Sequence, residues 1–93
     1  MSDENGTLFE SAMEFPCSFP IKVMGNQGKG IEEFVRETIE KHVPKKQSLE
    51  IHSRESSGGK YVSVTALFEA DNREQLDKIY QILTKHPDVK MVL

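Results

Sequence analysis

Basic residues are missing from the start of this chain: no Lys or Arg precedes Lys22, whereas Asp3, Glu4, Glu10 and Glu14 contribute −4. The formal net charge of −3 is therefore set by the N-terminal stretch, and residues 15–93 sum to +1. A domain so near neutrality lacks the broad positive field that draws phosphate backbones and anionic membranes, so neither nucleic acid nor membrane is an expected partner. Long apolar runs are missing as well. None exceeds a few residues, against the roughly 20 needed to span a bilayer as a helix. There is no tryptophan and a single cysteine, Cys17. One cysteine forms no intramolecular disulfide, and the acidic opening has no continuous apolar segment of the kind a secretory leader carries, so a cytoplasmic location is expected. Cys17 stands between Pro16 and Ser18 with no local base to stabilise a thiolate, and reads as a structural residue rather than a nucleophile.

A reaction centre is also missing from the pattern. His42, His52 and His86 fall on three different segments, and none has a second ligand at metal spacing. The glycine-rich stretch "GNQGKG", Gly25 to Gly30, invites a phosphate-loop reading and fails it. A Walker loop needs four residues before its Gly-Lys pair and then a hydroxyl for magnesium. Here two residues separate Gly25 from Gly28-Lys29, and Gly30 takes the hydroxyl position. A dinucleotide fingerprint fails too, because Glu33 stands where its third glycine belongs. These absences point to a non-enzymatic protein with no cofactor.

What is present is periodicity. The composition, 37% hydrophobic and 29% charged, suits one soluble globular domain. Residues 1–14 are polar and acidic and read as a flexible arm, leaving residues 15–93 as the domain. Phe19, Ile21 and Val23 alternate with Pro20, Lys22 and Met24 as in a half-buried strand. Pro20 has no amide donor, which places the start of regular pairing at Ile21. Ile31, Phe34, Val35, Thr38, Ile39, His42 and Val43 recur at helical spacing, and Pro44 stops that helix. Two further alternating segments, Leu49 to Arg54 and Tyr61 to Glu69, flank the turn "SSGG" and form a hairpin.

A second helix follows, with Asp71 or Asn72 as its cap, Glu74 or Gln75 returning the contact, and Leu76, Ile79, Tyr80 and Leu83 as its buried stripe. Pro87 disfavours helical geometry at His86, and a last strand carries Val89, Met91 and Leu93 inward. Two helices with one apolar stripe each cover the same face of one sheet. With right-handed crossovers, the expected fold is α+β: a ferredoxin-like βαββαβ sandwich with a four-stranded antiparallel sheet in the order 4-1-3-2 and two helices on one face.

Two surfaces are candidates for function. The glycines serve a short flexible entry into the first helix. The bare amides of that helix start, with Gly25, Gly28, Lys29 and Gly30, also make a candidate site for an anion or amino-acid carboxylate. On the sheet face that the helices leave open, Met24, Tyr61, Leu67 and Val92 would form an apolar patch across three strands, as at an interface with a protein partner or a second copy. A single outward tyrosine is too little for the base-stacking platform of an RNA-recognition module. Glu50, His52 and Arg54 share one face of an edge strand, where charges discourage further pairing.

The segments "FPCSFPIKVMG" (Phe15 to Gly25), "GKYVSVT" (Gly59 to Thr65) and "VKMVL" (Val89 to Leu93) resemble the YbeD-like family of small bacterial proteins of unknown function. That resemblance implies the ferredoxin-like fold, similar to ACT regulatory domains that bind amino acids beside metabolic enzymes. It implies no reaction and no catalytic residues. It also suggests a connection to lipoate metabolism. In ACT domains the effector lies near the first loop and a subunit boundary, which corresponds here to Met24 through Gly30.

Overall fold

The computed structural model describes residues 15–43 and 49–93. The expected acidic arm at residues 1–14 and the helix stop at Pro44 lie outside the described residues. The elements run β1 (Cys17–Asn26), α1 (Ile31–His42), β2 (Leu49–Glu55), β3 (Tyr61–Ala70), α2 (Arg73–Lys85) and β4 (Val89–Val92). Their sheet is antiparallel in the order β2-β3-β1-β4, the βαββαβ arrangement expected from the periodicities.

Alternation builds the core from the sheet side. Val62, Val64, Ala66, Phe68 and Ala70 of β3 are buried, as are Phe19, Ile21 and Val23 of β1. Phe19 faces Phe68 across the ladder, with ring centroids 6.4 Å apart. The helices close this layer with Ile31, Val35, Thr38 and Ile39 from α1 and Leu76, Ile79 and Leu83 from α2. Each of these large apolar side chains stabilises the fold by about 1.5–3 kcal/mol through its removal from water.

The start of α2 is held by side chains on both sides. Asn72 caps it, its Oδ1 accepting from the Gln75 amide at 2.8 Å. Gln75 returns a bond through Oε1 to the Asp71 amide at 2.8 Å and donates Nε2 to the His42 carbonyl at the end of α1. One glutamine thus closes the α2 cap and ties the two helices together. At the other end, His86 is extended (φ −71°, ψ 129°), as the following proline requires.

Two local expectations are corrected. The β1 ladder begins at Cys17, opposite Ala70, and runs through Pro20 in register. Lys22 exchanges both backbone bonds with Leu93, so the even residues of β1 point their amides toward β4. Two residues earlier, Pro20 points the same way, past the last bonds of β4, and its missing donor interrupts nothing.

The second correction concerns β4. Val23 pairs with Val92 and Met24 with Met91, but Gly25 pairs with Val89, so Lys90 is the extra residue of a bulge. The bulge reverses the alternation. Val92 packs against the core, whereas Met91 and Leu93 are exposed. Of the three residues expected inward, Val89 alone packs there.

Candidate functional site

The open face of the sheet is laid out by register. Met24 lies between Ser63 of β3 and Met91 of β4, with Arg54 of β2 beyond Ser63. The next row holds Leu93, Lys22, Thr65 and His52, and the row after it holds Pro20, Leu67 and Glu50. Tyr61 is a diagonal neighbour of Met24. Met24 and Tyr61 are each 38% exposed, Met91 48% and Leu93 67%. The apolar surface therefore gathers at the β1–β4 end, around Met24, Met91 and Leu93, with Tyr61 bordering a shallow recess of about 360 Å³ beside the β2–β3 turn.

This geometry changes the membership of the candidate patch. Met24 and Tyr61 belong to it. Leu67 is half-buried beside Pro20, separated from Met24 by the row containing Lys22. Val92 is turned toward the helices by the bulge, and Met91 and Leu93 stand on the open side in its place. Alternation alone misses both, because no sequence signal marks Lys90 as the unpaired residue. On β2, His52 Nε2 lies 3.9 Å from Glu50 Oε1, with both side chains largely in solvent.

The glycine turn is more constrained than a flexible entry. Asn26 donates its amide to the Asp88 carbonyl (2.9 Å) and its Nδ2 to Asp88 Oδ1 (3.0 Å), and the Gln27 amide donates to the Lys60 carbonyl (2.8 Å). Gly25 is a packing glycine: a Cβ there would stand 2.7 Å from the Asp88 carbonyl oxygen and 2.8 Å from the Ile31 side chain. Gly28 (φ 83°) and Gly30 (φ 67°, the N-cap of α1) take left-handed conformations that disfavour side chains.

Beside this turn lies a recess of about 560 Å³ bordered by Gly28, Gly30, Glu32, Glu33, Arg54 and Glu55. Gln27 Nε2 donates to Glu55, Ser53 Oγ donates to Glu32, and Arg36 lies 3.6 Å from Glu32. Of the four candidate residues, Gly28 and Gly30 line the recess, Gly25 is buried under Ile31, and Lys29 is exposed outside the lining. Three carboxylates, Glu32, Glu33 and Glu55, border the recess and Arg36 lies beside one of them, so the recess favours a group bearing positive charge.

The remaining titratable groups are dispersed. His42 Nδ1 lies 2.9 Å from the Thr38 carbonyl, and His86 Nδ1 accepts from the Asp88 amide (3.0 Å) while its ring lies 4.3 Å from that of Phe34. Among the described residues, no three His, Cys, Asp or Glu side chains gather in a metal-binding group. Tyr80 meets Phe19 edge-on at 6.4 Å, and burial raises its phenol above the ordinary value of 10.0. Among the described residues, no helix is long and apolar enough to cross a membrane.

Comparison with known proteins gives family and fold. A family model described as "Protein of unknown function (DUF493)" matches residues 10–93. The UPF0250 protein of Chromobacterium violaceum is 44% identical over 93 residues, spanning 100% of both chains. That of Neisseria gonorrhoeae is 47% identical over 83 residues, or 89% of this chain and 91% of the relative. Among solved structures, HP0495 from Helicobacter pylori is similar with a TM-score of 0.71 at 17% identity, covering 87% of this chain and 85% of that one. The ACT domain of a Chlorobium tepidum GTP pyrophosphokinase is similar with a TM-score of 0.60 at 13% identity, covering 82% and 94%. At these identities the two structures speak for the fold alone.

Proposed function

From the premise that the chain belongs to the DUF493/UPF0250 family of small bacterial proteins of unknown function and has an ACT-like ferredoxin fold, we propose a non-enzymatic regulatory module that binds a protein partner through the open face of its sheet. The observation that carries this reading is the cluster of Met24, Met91 and Leu93 on adjacent strands, opposite the helix-covered face. Exposed apolar residues scattered singly need no explanation, whereas three grouped on neighbouring strands form a docking surface. Methionine side chains adapt their shape to a partner, and Tyr61 adds a polar tip at the patch border.

Affinity capture tests the proposal with the wild-type chain and the Met24→Asp/Met91→Asp variant as parallel baits, each checked for an unchanged circular dichroism spectrum. A partner retained by the first and lost by the second is the expected result. Identical partner sets on both baits overturn the reading.

The recess at the glycine turn favours a second reading, a sensor of an amino acid or small carboxylate, with lipoate metabolism as one setting. An amino-acid zwitterion would set its ammonium among Glu32, Glu33 and Glu55 and its carboxylate toward the bare amides that begin α1. In this reading Gly28 and Gly30 let the ligand approach the backbone, Gly25 holds the α1 start close to β1, and Lys29 contributes long-range charge. A ligand of this kind raises Tm and moves the amide signals of residues 25–32 on titration. An unmoved spectrum across the amino acids and short carboxylic acids sinks it.

A further inference from the structure

The two edges of the sheet are built differently. On the β4 side the edge strand has four residues and carries the bulge at Lys90, and the start of β1, which has no pairing with β4 among the described residues, presents Pro20, which has no amide to offer. Shortness, a bulge and a proline are three devices that blunt an edge against pairing. The β2 side has none of them. Its seven residues, Leu49 to Glu55, pair with β3 without a register shift, and among the described residues β2 has a strand neighbour on one side only.

Parity identifies which groups face outward. Ser56 donates its amide to the Tyr61 carbonyl, so Ser56, and with it Arg54, His52 and Glu50, direct their backbone groups toward β3. Leu49, Ile51, Ser53 and Glu55 therefore direct theirs away from the sheet. The side chains of Glu50, His52 and Arg54 lie on the open face at two-residue intervals. Charges of one sign on an edge repel a second strand. The order acidic, neutral, basic, read antiparallel against itself, matches Glu50 with Arg54 twice.

We propose that β2 is a self-association edge, on which a second copy of this chain adds its own β2 antiparallel about a two-fold axis through His52. In this register Leu49 meets Glu55 and Ile51 meets Ser53 of the second copy, and the reciprocal pairs follow by symmetry. All four are pairs of outward-facing backbone groups and exchange hydrogen bonds. His52 meets its symmetry mate as a non-hydrogen-bonded pair. All seven residues overlap, and the half-buried Ile51 side chains become diagonal neighbours beneath the ladder. An axis through Ile51 would set Glu50 against His52, and one through Ser53 would set His52 against Arg54. Only the His52 axis pairs both charges and uses the whole strand. The two sheets become one, and their open faces continue across the axis.

This inference does not depend on the open-face reading, and sedimentation at graded protein concentrations separates the two. The wild-type chain dimerises. Glu50→Arg and Arg54→Glu each place like charges opposite one another twice per dimer and shift the midpoint of association at least tenfold toward monomer. The double variant E50R/R54E inverts the sequence of charges, is again self-complementary, and recovers dimerisation. Ser53→Pro deletes an amide that β3 does not use, so the monomer keeps its circular dichroism spectrum and loses association. A wild-type chain that stays monomeric to millimolar concentration overturns the proposal. So does a dimer that survives Ser53→Pro with the spectrum intact, or a double variant no better than the single ones.

Discussion

Val23 and Val92 pair across the β1–β4 ladder and share the helix-covered side of the sheet, one step from the Met24–Met91 pair on the opposite side. The bulge at Lys90 produces this arrangement by shifting the alternation of β4 midway along a strand of four residues. Val92→Asp places a carboxylate against the core and lowers unfolding free energy by about 2 kcal/mol, whereas Met91→Asp stays within about 0.5 kcal/mol of wild type. Urea denaturation of the two variants checks this. Equal losses would mean the bulge lies elsewhere.

Gly25 and Gly28 predict different costs from different causes. Gly25→Ala forces a methyl against the Asp88 carbonyl, a backbone atom that cannot swing aside, and costs about 1–3 kcal/mol through overpacking. Gly28→Ala meets no atom within 4 Å, and its cost of about 1 kcal/mol comes from the left-handed φ alone. Thermal unfolding ranks the two. Gly28→Asn recovers part of its loss, because asparagine tolerates that region, whereas Gly25→Asn does not.

Gln75 joins three backbone segments, so its loss exceeds that of an ordinary cap. Gln75→Ala removes the acceptor for the Asp71 amide and the donor to the His42 carbonyl, both partly buried, and costs about 2 kcal/mol. Asn72→Ala removes one exposed capping bond and costs about 1 kcal/mol. Hydrogen exchange gives the sharper signature: Gln75→Ala loosens the last turn of α1 as well as the first of α2, and Asn72→Ala only the latter.

Tyr80 makes stability fall in alkali. Burial raises its phenol above 10.0, so the folded state holds the proton after the unfolded chain has released it. Stability from this group is complete below pH 10 and declines as pH rises from there through the folded pKa. Tyr80→Phe removes that share of the decline while keeping the ring against Phe19. Denaturation midpoints from pH 8 to 11, compared as the difference between the two proteins, give the reading. A difference constant with pH would contradict it.

The recess at the glycine turn shows where sequence reading stops. The failure of "GNQGKG" as a phosphate loop is visible in its spacing, but the charge of the surrounding wall is not. Glu32 and Glu33 come from α1 and Glu55 from β2, and they meet because the end of β2 lies alongside the start of α1. Lys29, nearest in sequence, lies outside the lining. Which of the two candidates at the start of α2 returns the contact is likewise visible only in the structure, where Gln75 accepts from the Asp71 amide and also reaches the His42 carbonyl.

Element order, strand order and most of the core follow from the sequence alone, because alternation and helical spacing each commit a whole face of an element to the same side. One residue cannot change its facing without moving all its neighbours, so the pattern is redundant and survives local error. Tertiary structure decided what has no such redundancy: the single unpaired Lys90 that sends Met91 outward and Val92 inward, the side of β1 to which Pro20 turns, past the last bonds of β4, and the charges gathered at the turn. Each depends on where one strand ends or slips against another, and a difference of one residue in pairing leaves no trace in hydrophobic periodicity.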